Sequence, residues 1–166
     1  LHIQSGKGAI LMLDPFQRMN SANATLSIKR SKDGQINSID DLLQSYGLDF
    51  SNSKIVGDFK NAATVESATG RNFSYPYWLQ IKDNNISKKH IVSDNLKELL
   101  FAEAGFFETN KKDIDVQPII LTSDETNFLS KRELREKSTE TLATEFQTTS
   151  EIRKIIALHL SGQVDS

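Results

Sequence analysis

The run AILMLDPF at residues 9–16 sets five apolar residues in succession ahead of an acid, a proline and an aromatic. So short a stretch, apolar on both faces of the pleat and closed by a turn signal, predicts a strand covered on both sides in a mostly parallel sheet. Asp14 then stands at its carboxyl end, where open α/β sheets bind their ligands and partners. Residues 115–123, DVQPIILTS, repeat the pattern. This second apolar strand tolerates Pro118 near its start and delivers Thr122 and Ser123 at its end. The fold expected from these two strands is α/β, Rossmann-like or flavodoxin-like, with a mostly parallel sheet and helices on both faces.

Outward from these strands, residues 24–30 (ATLSIKR) read as a short edge strand and residues 31–34 as a turn. Ile39, Leu42, Leu43 and Tyr46 recur at helical spacing behind Asp40 and Asp41, and Gly47 supplies the stop. KIVGDF at 54–59 is a strand, residues 61–72 form a long polar loop, and residues 78–82 are again extended. A short strand is expected at 90–92. Asp94 caps a helix running through Ala104, with Leu96, Leu99, Leu100 and Glu103 on successive turns. Ser130-Lys131-Arg132-Glu133 has capping-box spacing, and residues 137–150 read either as a charged helix or as irregular chain. In IIALHLS, residues 155–161, the alternation favours a strand, although residues 151–160 also carry helical spacing.

Composition narrows the function classes. The chain has 166 residues, enough for one domain burying roughly two thirds of its unfolded surface. Its 37% hydrophobic and 25% charged content suits a globular domain with a polar surface. A net charge of −2 with interspersed signs argues against nucleic acid, which needs clustered Lys and Arg. Zero cysteines exclude disulfides, zinc-thiolate sites and thiol catalysis. The longest apolar run, residues 9–13, falls short of the ~20 residues of a membrane helix. A chain that opens on Leu1 and closes on Ser166 within a structural element is expected to be a single α/β domain, residues 1–166, excised from a longer protein.

The chemistry-bearing residues give mostly structural readings. Asp14 with Pro15 serves either as a carboxylate at a sheet edge or as the cap of the turn leaving the strand. Gly6-Lys7-Gly8 precedes its strand and lacks a third glycine, so it is no dinucleotide fingerprint. Tyr75-Pro76-Tyr77-Trp78 is the least generic stretch: with Phe73 it places four aromatics in six residues. It is either a recognition surface or a cover for one sheet edge. Ser123 lacks the elbow of a nucleophilic serine, Thr122 and Ser123 suit turns and caps, and His2, His90 and His159 are isolated. They show no paired metal spacing, and no cofactor is expected.

Seven motifs in order resemble the soluble domain of gliding-motility-type ABC transporter auxiliary proteins, a family also related to a domain of intraflagellar transport subunits. They are Leu13-Asp14-Pro15; LLQSYGL at 42–48; the 54–59 strand; Tyr75-Pro76-Tyr77-Trp78; Asp94-Asn95-Leu96 leading to Ala104-Gly105; PIILTS at 118–123; and IALHLSG at 156–162. Where the family often continues with Ser-Trp, this chain reads Asp124-Glu125-Thr126-Asn127-Phe128. The resemblance implies a non-catalytic periplasmic domain of an inner-membrane protein, anchored by segments outside these residues. It implies an ABC permease and its ATPase as partners, and an unidentified envelope ligand as a further one. The contact surface expected is Asp14, Tyr75, Tyr77, Trp78, Thr122 and Ser123. The alternatives are a degenerate amidotransferase-like or carbohydrate-processing enzyme, and a structural scaffold of a motility or secretion complex.

Overall fold

The computed structural model describes residues 8–16, 39–110 and 115–162. It begins with α1 (Ile39–Ser45), β1 (Leu48–Phe50), β2 (Lys54–Asp58) and β3 (Ala62–Glu66). There follow β4 (Asn72–Lys82), β5 (Glu98–Ala102), β6 (Phe107–Thr109), β7 (Asp115–Leu121) and β8 (Thr126–Ser130). Then come α2 (Lys131–Glu136), α3 (Thr139–Thr144) and β9 (Ile155–Ser161). The strands form a sheet of order β1-β6-β9-β7, a ribbon β2-β8 and a sheet β3-β4-β5.

Each pairing between these strands is antiparallel, which overturns the expected Rossmann-like or flavodoxin-like parallel sheet. Two misreadings account for the difference. Residues 9–13 belong to none of these strands: they are irregular chain, with Ile10 91% and Met12 93% exposed. An unbroken apolar run implies cover on both faces only if a sheet receives it, and composition cannot supply the sheet. The second misreading concerns residues 61–72 and 94–104, expected as loop and helix, which contain β3 and β5. β3 and β4, joined only by residues 67–71, must run antiparallel, since a parallel crossover needs a dozen or more residues.

β3 and β4 form a hairpin whose turn is closed by Ser67: its N–H donates to the Arg71 carbonyl at 2.8 Å and its hydroxyl accepts from Arg71 N–H at 3.0 Å. Gly70, at φ +76°, takes the left-handed position such a turn demands. Further along, Ala62 faces Leu79 but Ala63 faces Tyr75, so Pro76, Tyr77 and Trp78 bulge out of the β3 pairing. Proline, with no N–H to donate, fits that interruption. β5 replaces the expected helix because β4 offers it a full ladder from Trp78↔Ala102 to Lys82↔Glu98. Leu99 and Phe101 then pack inward on the core, while Leu100 faces out. The short strand expected at 90–92 is a turn, in which the N–H groups of Ser93 and Asp94 both donate to the His90 carbonyl.

Other expectations hold. α1 ends at Gly47, φ +69°, and KIVGD, residues 115–121 and residues 155–161 are strands. The capping box is complete: Glu133 N–H donates to Ser130 Oγ at 3.2 Å, and Ser130 N–H donates to the Glu133 carboxylate at 3.0 Å. Residues 137–150 contain α3, capped by Ser138. The edge strand expected at 24–30 and the turn at 31–34 lie outside the described residues.

Two apolar clusters hold the elements together. Val56, Leu79, Ile81, Phe106, Ile120 and Ile156 join β2 and the β3-β4-β5 sheet to the four-stranded sheet. Ile55, Tyr75, Tyr77, Leu129, Leu134 and Leu142 seat α2 and α3 on β2, β4 and β8. β2 feeds both, Ile55 to one and Val56 to the other, each with no exposed surface. Burying a side chain of this size contributes roughly 1.5–3 kcal/mol.

Candidate functional site

The carboxyl end of β2 meets two of the residues singled out in the sequence, Ser123 at Asp58 and Tyr77 at Gly57. KIVGD carries an apolar run into an acid, the same pattern as AILMLD, and it is here that the pattern ends in a sheet. Asp58 has no exposed surface. Its carboxylate accepts from Ser123 N–H at 2.6 Å, Ser123 Oγ at 2.5 Å, Asn61 N–H at 3.2 Å and Asn61 Nδ2 at 2.6 Å. Charge-assisted bonds of this kind are what allow an ion to stay buried.

Ser123 is built into this buried arrangement. Its hydroxyl donates to Asp58 and accepts from Glu125 N–H at 3.1 Å, so its bonding capacity is spent on the fold. Asp58 in turn accepts from four donors, two of them on Ser123 and two on Asn61. Thr122, also without exposed surface, accepts from Lys154 N–H at 2.7 Å and donates to the Ser123 carbonyl at 2.8 Å. Its carbonyl accepts from Arg153 Nε at 2.8 Å. Thr122 thus ties the end of β7 to the segment entering β9.

On the neighbouring position of β2, Gly57 admits the Tyr77 ring. A Cβ at residue 57 would lie 2.6 Å from Tyr77 Cε1 and 2.8 Å from Phe146 Cε2. Tyr75 and Tyr77 are buried and pack edge-to-face at 5.7 Å, and Tyr77 meets Phe146 edge-on at 5.8 Å. Burial, and after it the charges of Glu133 and Glu145, push the Tyr77 phenol up to about 12. Trp78 is the exposed member of the cluster, its ring 6.3 Å from that of Tyr75.

Asp14 lies apart from Ser123 in role. Its carboxylate accepts from Phe16 N–H at 2.7 Å, an Asx turn that matches the capping reading. Pro15 is buried, and Phe16 packs on the α2–α3 cluster beneath the Arg135 guanidinium, 5.4 Å away. The structure therefore brings Tyr77 and Ser123 to adjacent positions of β2 as buried supports, and leaves Asp14 and Trp78 on the surface.

Sequence reading missed what those supports hold. Phe59, directly after Asp58, is 55% exposed and stacks on Phe146 at 5.9 Å. Next to it Lys60 Nζ sits 2.7 Å from Asp124 and 3.2 Å from Glu125. Hydrogen bonding to Asp124 raises the Lys60 pKa, and the same bond lowers that of Asp124. The result is an exposed aromatic flanked by an exposed charge pair, beside the buried Asp58. Two of the three histidines converge: the rings of His90 and His159 lie 4.6 Å apart.

Among the described residues, no three His, Asp or Glu side chains converge as metal ligands would. A shallow hollow of 150 Å³ beside α1, lined by Asp40, Gln44 and Asn52 among others, shares no residue with the Asp58 knot. It is smaller than the ~300–1,000 Å³ of pockets that enclose small molecules. No described helix is long and apolar enough to cross a membrane.

Comparison with known proteins bears on what this base supports. A family model described as ABC-type uncharacterized transport system matches residues 2–166. No curated protein and no solved structure matches the chain.

Proposed function

Because the chain belongs to the ABC transport auxiliary family, matched over residues 2–166, we propose that it is a non-catalytic accessory domain working outside the cytoplasm. In this reading it is the periplasmic part of an inner-membrane protein of the gliding-motility type, held against an ABC permease and its ATPase. The observation that carries a non-catalytic role is the saturation of Ser123 and Asp58 by each other and by Asn61. A hydroxyl and a carboxylate so engaged serve the fold, which speaks against the amidotransferase-like and carbohydrate-processing alternatives.

Contact with the transporter is assigned to the exposed rim at the end of β2: Phe59, Lys60 and Asp124. An exposed aromatic ring is the kind of side chain that anchors protein contacts, and Phe59 is already held against Phe146. Tyr75, Tyr77, Thr122 and Ser123 contribute by holding that rim in place. The test is co-expression with the permease and ATPase encoded nearest to its gene, followed by purification on a tag carried by this protein. The permease is expected in the eluate, and Phe59→Ala combined with Lys60→Glu should deplete it while leaving the melting temperature close to wild type. Absence of both transporter subunits from the wild-type eluate overturns the reading.

A further inference from the structure

β7 is the last strand of the four-stranded sheet, and the chain from residue 86 onward runs beside it. Ile86 bridges Ile120, and Ser87 N–H donates to the Ile119 carbonyl at 2.8 Å. The turn that follows reaches over β7, so that the half-buried His90 ring meets the exposed His159 on β9, 4.6 Å away and tilted by 49°. The base of this turn is held by groups that do not titrate near neutral pH. Ser93, fully buried, donates from its hydroxyl to the Ser87 carbonyl and from its N–H to the His90 carbonyl. The tip is held differently: Val92 N–H donates to His90 Nδ1 at 3.2 Å. A ring nitrogen accepts only while it carries no proton, so this bond requires a neutral His90 with its hydrogen on Nε2.

The charges around the two rings are few. On the turn, Lys88 is engaged by Asp83 at 2.9 Å, which leaves Lys89 and Asp94, both exposed. On β7 and β9 the one acid is Asp115, whose carboxylate accepts from Gln117 Nε2 at 2.8 Å and from Ser161 Oγ at 3.1 Å. Gln117 pairs with His159 and Asp115 with Ser161, so Asp115 lies on the His159 face of the sheet, at the next pair of that face. What lies directly against each imidazole is the other imidazole.

We infer that the His90–His159 pair is an acid-sensitive latch on this turn. With both rings neutral, Val92 closes the tip and His90 packs on β9. Imidazole is the side chain that ordinarily changes charge between pH 5 and 8. A proton on His90 Nδ1 turns the acceptor into a donor facing Val92 N–H, and the bond is lost. A further proton on His159 sets two cations side by side. Both effects open the tip, while the Ser93 bonds keep the base in place. Ile91 and Val92, 90% and 66% exposed, ride on the part that moves.

Backbone amide relaxation, measured by NMR at about pH 8 and about pH 5, tests the latch. The Val92 order parameter is expected to fall from about 0.85 to below about 0.6, while those of Ser87 and Ser93 stay at the higher value. Ring nitrogen shifts at the higher pH should place the His90 hydrogen on Nε2. His90→Gln should make the Val92 order parameter independent of pH, and His159→Gln, which removes only the neighbouring cation, should leave a smaller fall. A wild-type Val92 value that does not change with pH, an equal fall in either variant, or a fall shared by Ser93 overturns the inference.

Discussion

Replacing Asp58 with alanine removes the one acceptor on which four donors converge, and its cost can be worked out donor by donor. Ser123 N–H and Oγ are buried, and Asn61 N–H and Nδ2 partly so. A buried donor left without a partner costs about 1–3 kcal/mol. With relaxation of Asn61 toward water, the two unpartnered Ser123 groups dominate, and the expected loss is about 3–5 kcal/mol. Asp58→Asn is the informative comparison. Its carbonyl can keep Ser123 N–H and Asn61 Nδ2, while its amide meets the Ser123 hydroxyl, which can turn to accept, and Asn61 N–H, which cannot. One donor-to-donor clash remains, so the asparagine variant should lose about half as much as the alanine variant.

Urea unfolding reads the difference. For a domain with m near 2 kcal/mol/M, a loss of about 4 kcal/mol moves the midpoint by about 2 M without changing m. Against a total of about 5–15 kcal/mol the effect is large. In a double-mutant cycle, Ser123→Ala should cost little once Asp58 is alanine, because the hydroxyl then has lost its acceptor. The reasoning is refuted if Asp58→Ala costs under about 1 kcal/mol, or if the losses from Asp58→Ala and Ser123→Ala simply add.

Gly57→Ala should destabilise by about 1–3 kcal/mol, since its Cβ would fall 2.6 Å from the Tyr77 ring. Adding Tyr77→Leu should recover part of that loss, and strict additivity in thermal melts would place the conflict elsewhere. Tyr77→Ala should cost about 3–5 kcal/mol by emptying a buried aromatic site, whereas Trp78→Ala should stay within about 1 kcal/mol; equal effects on the urea midpoint would contradict the burial pattern. Glu133 is held below its ordinary 4.5 by the Ser130 hydroxyl and then by the Ser130 N–H. A lowered carboxyl stabilises fully above the unfolded value and loses its contribution as pH falls through the folded one. The stability gap between wild type and Ser130→Ala should therefore narrow as pH drops from about 6 to about 3, and a gap independent of pH would remove the capping box as its source.

Much of the local structure was legible in the sequence because its causes lie within a few residues. Gly47 stops α1 since it alone takes φ +69° without strain, and Ser130 and Glu133 satisfy each other three positions apart. The Asp14 turn is equally local, and the order of short motifs pointed to the transport family. What the tertiary structure decided was which strand meets which. Residues 9–13 and residues 54–58 both run from apolar residues into an acid, yet β2 finds β8 and the Asp58 knot while residues 9–13 lie exposed. Residues 98–102 carry helical spacing, but the ladder along β4 makes them a strand. Ser123 was legible as a hydroxyl at a strand end and not as the partner of Asp58, 65 residues earlier. Propensity and capping act over one turn of chain, whereas sheet pairing and burial are settled between segments far apart in sequence, whose meeting no single segment encodes.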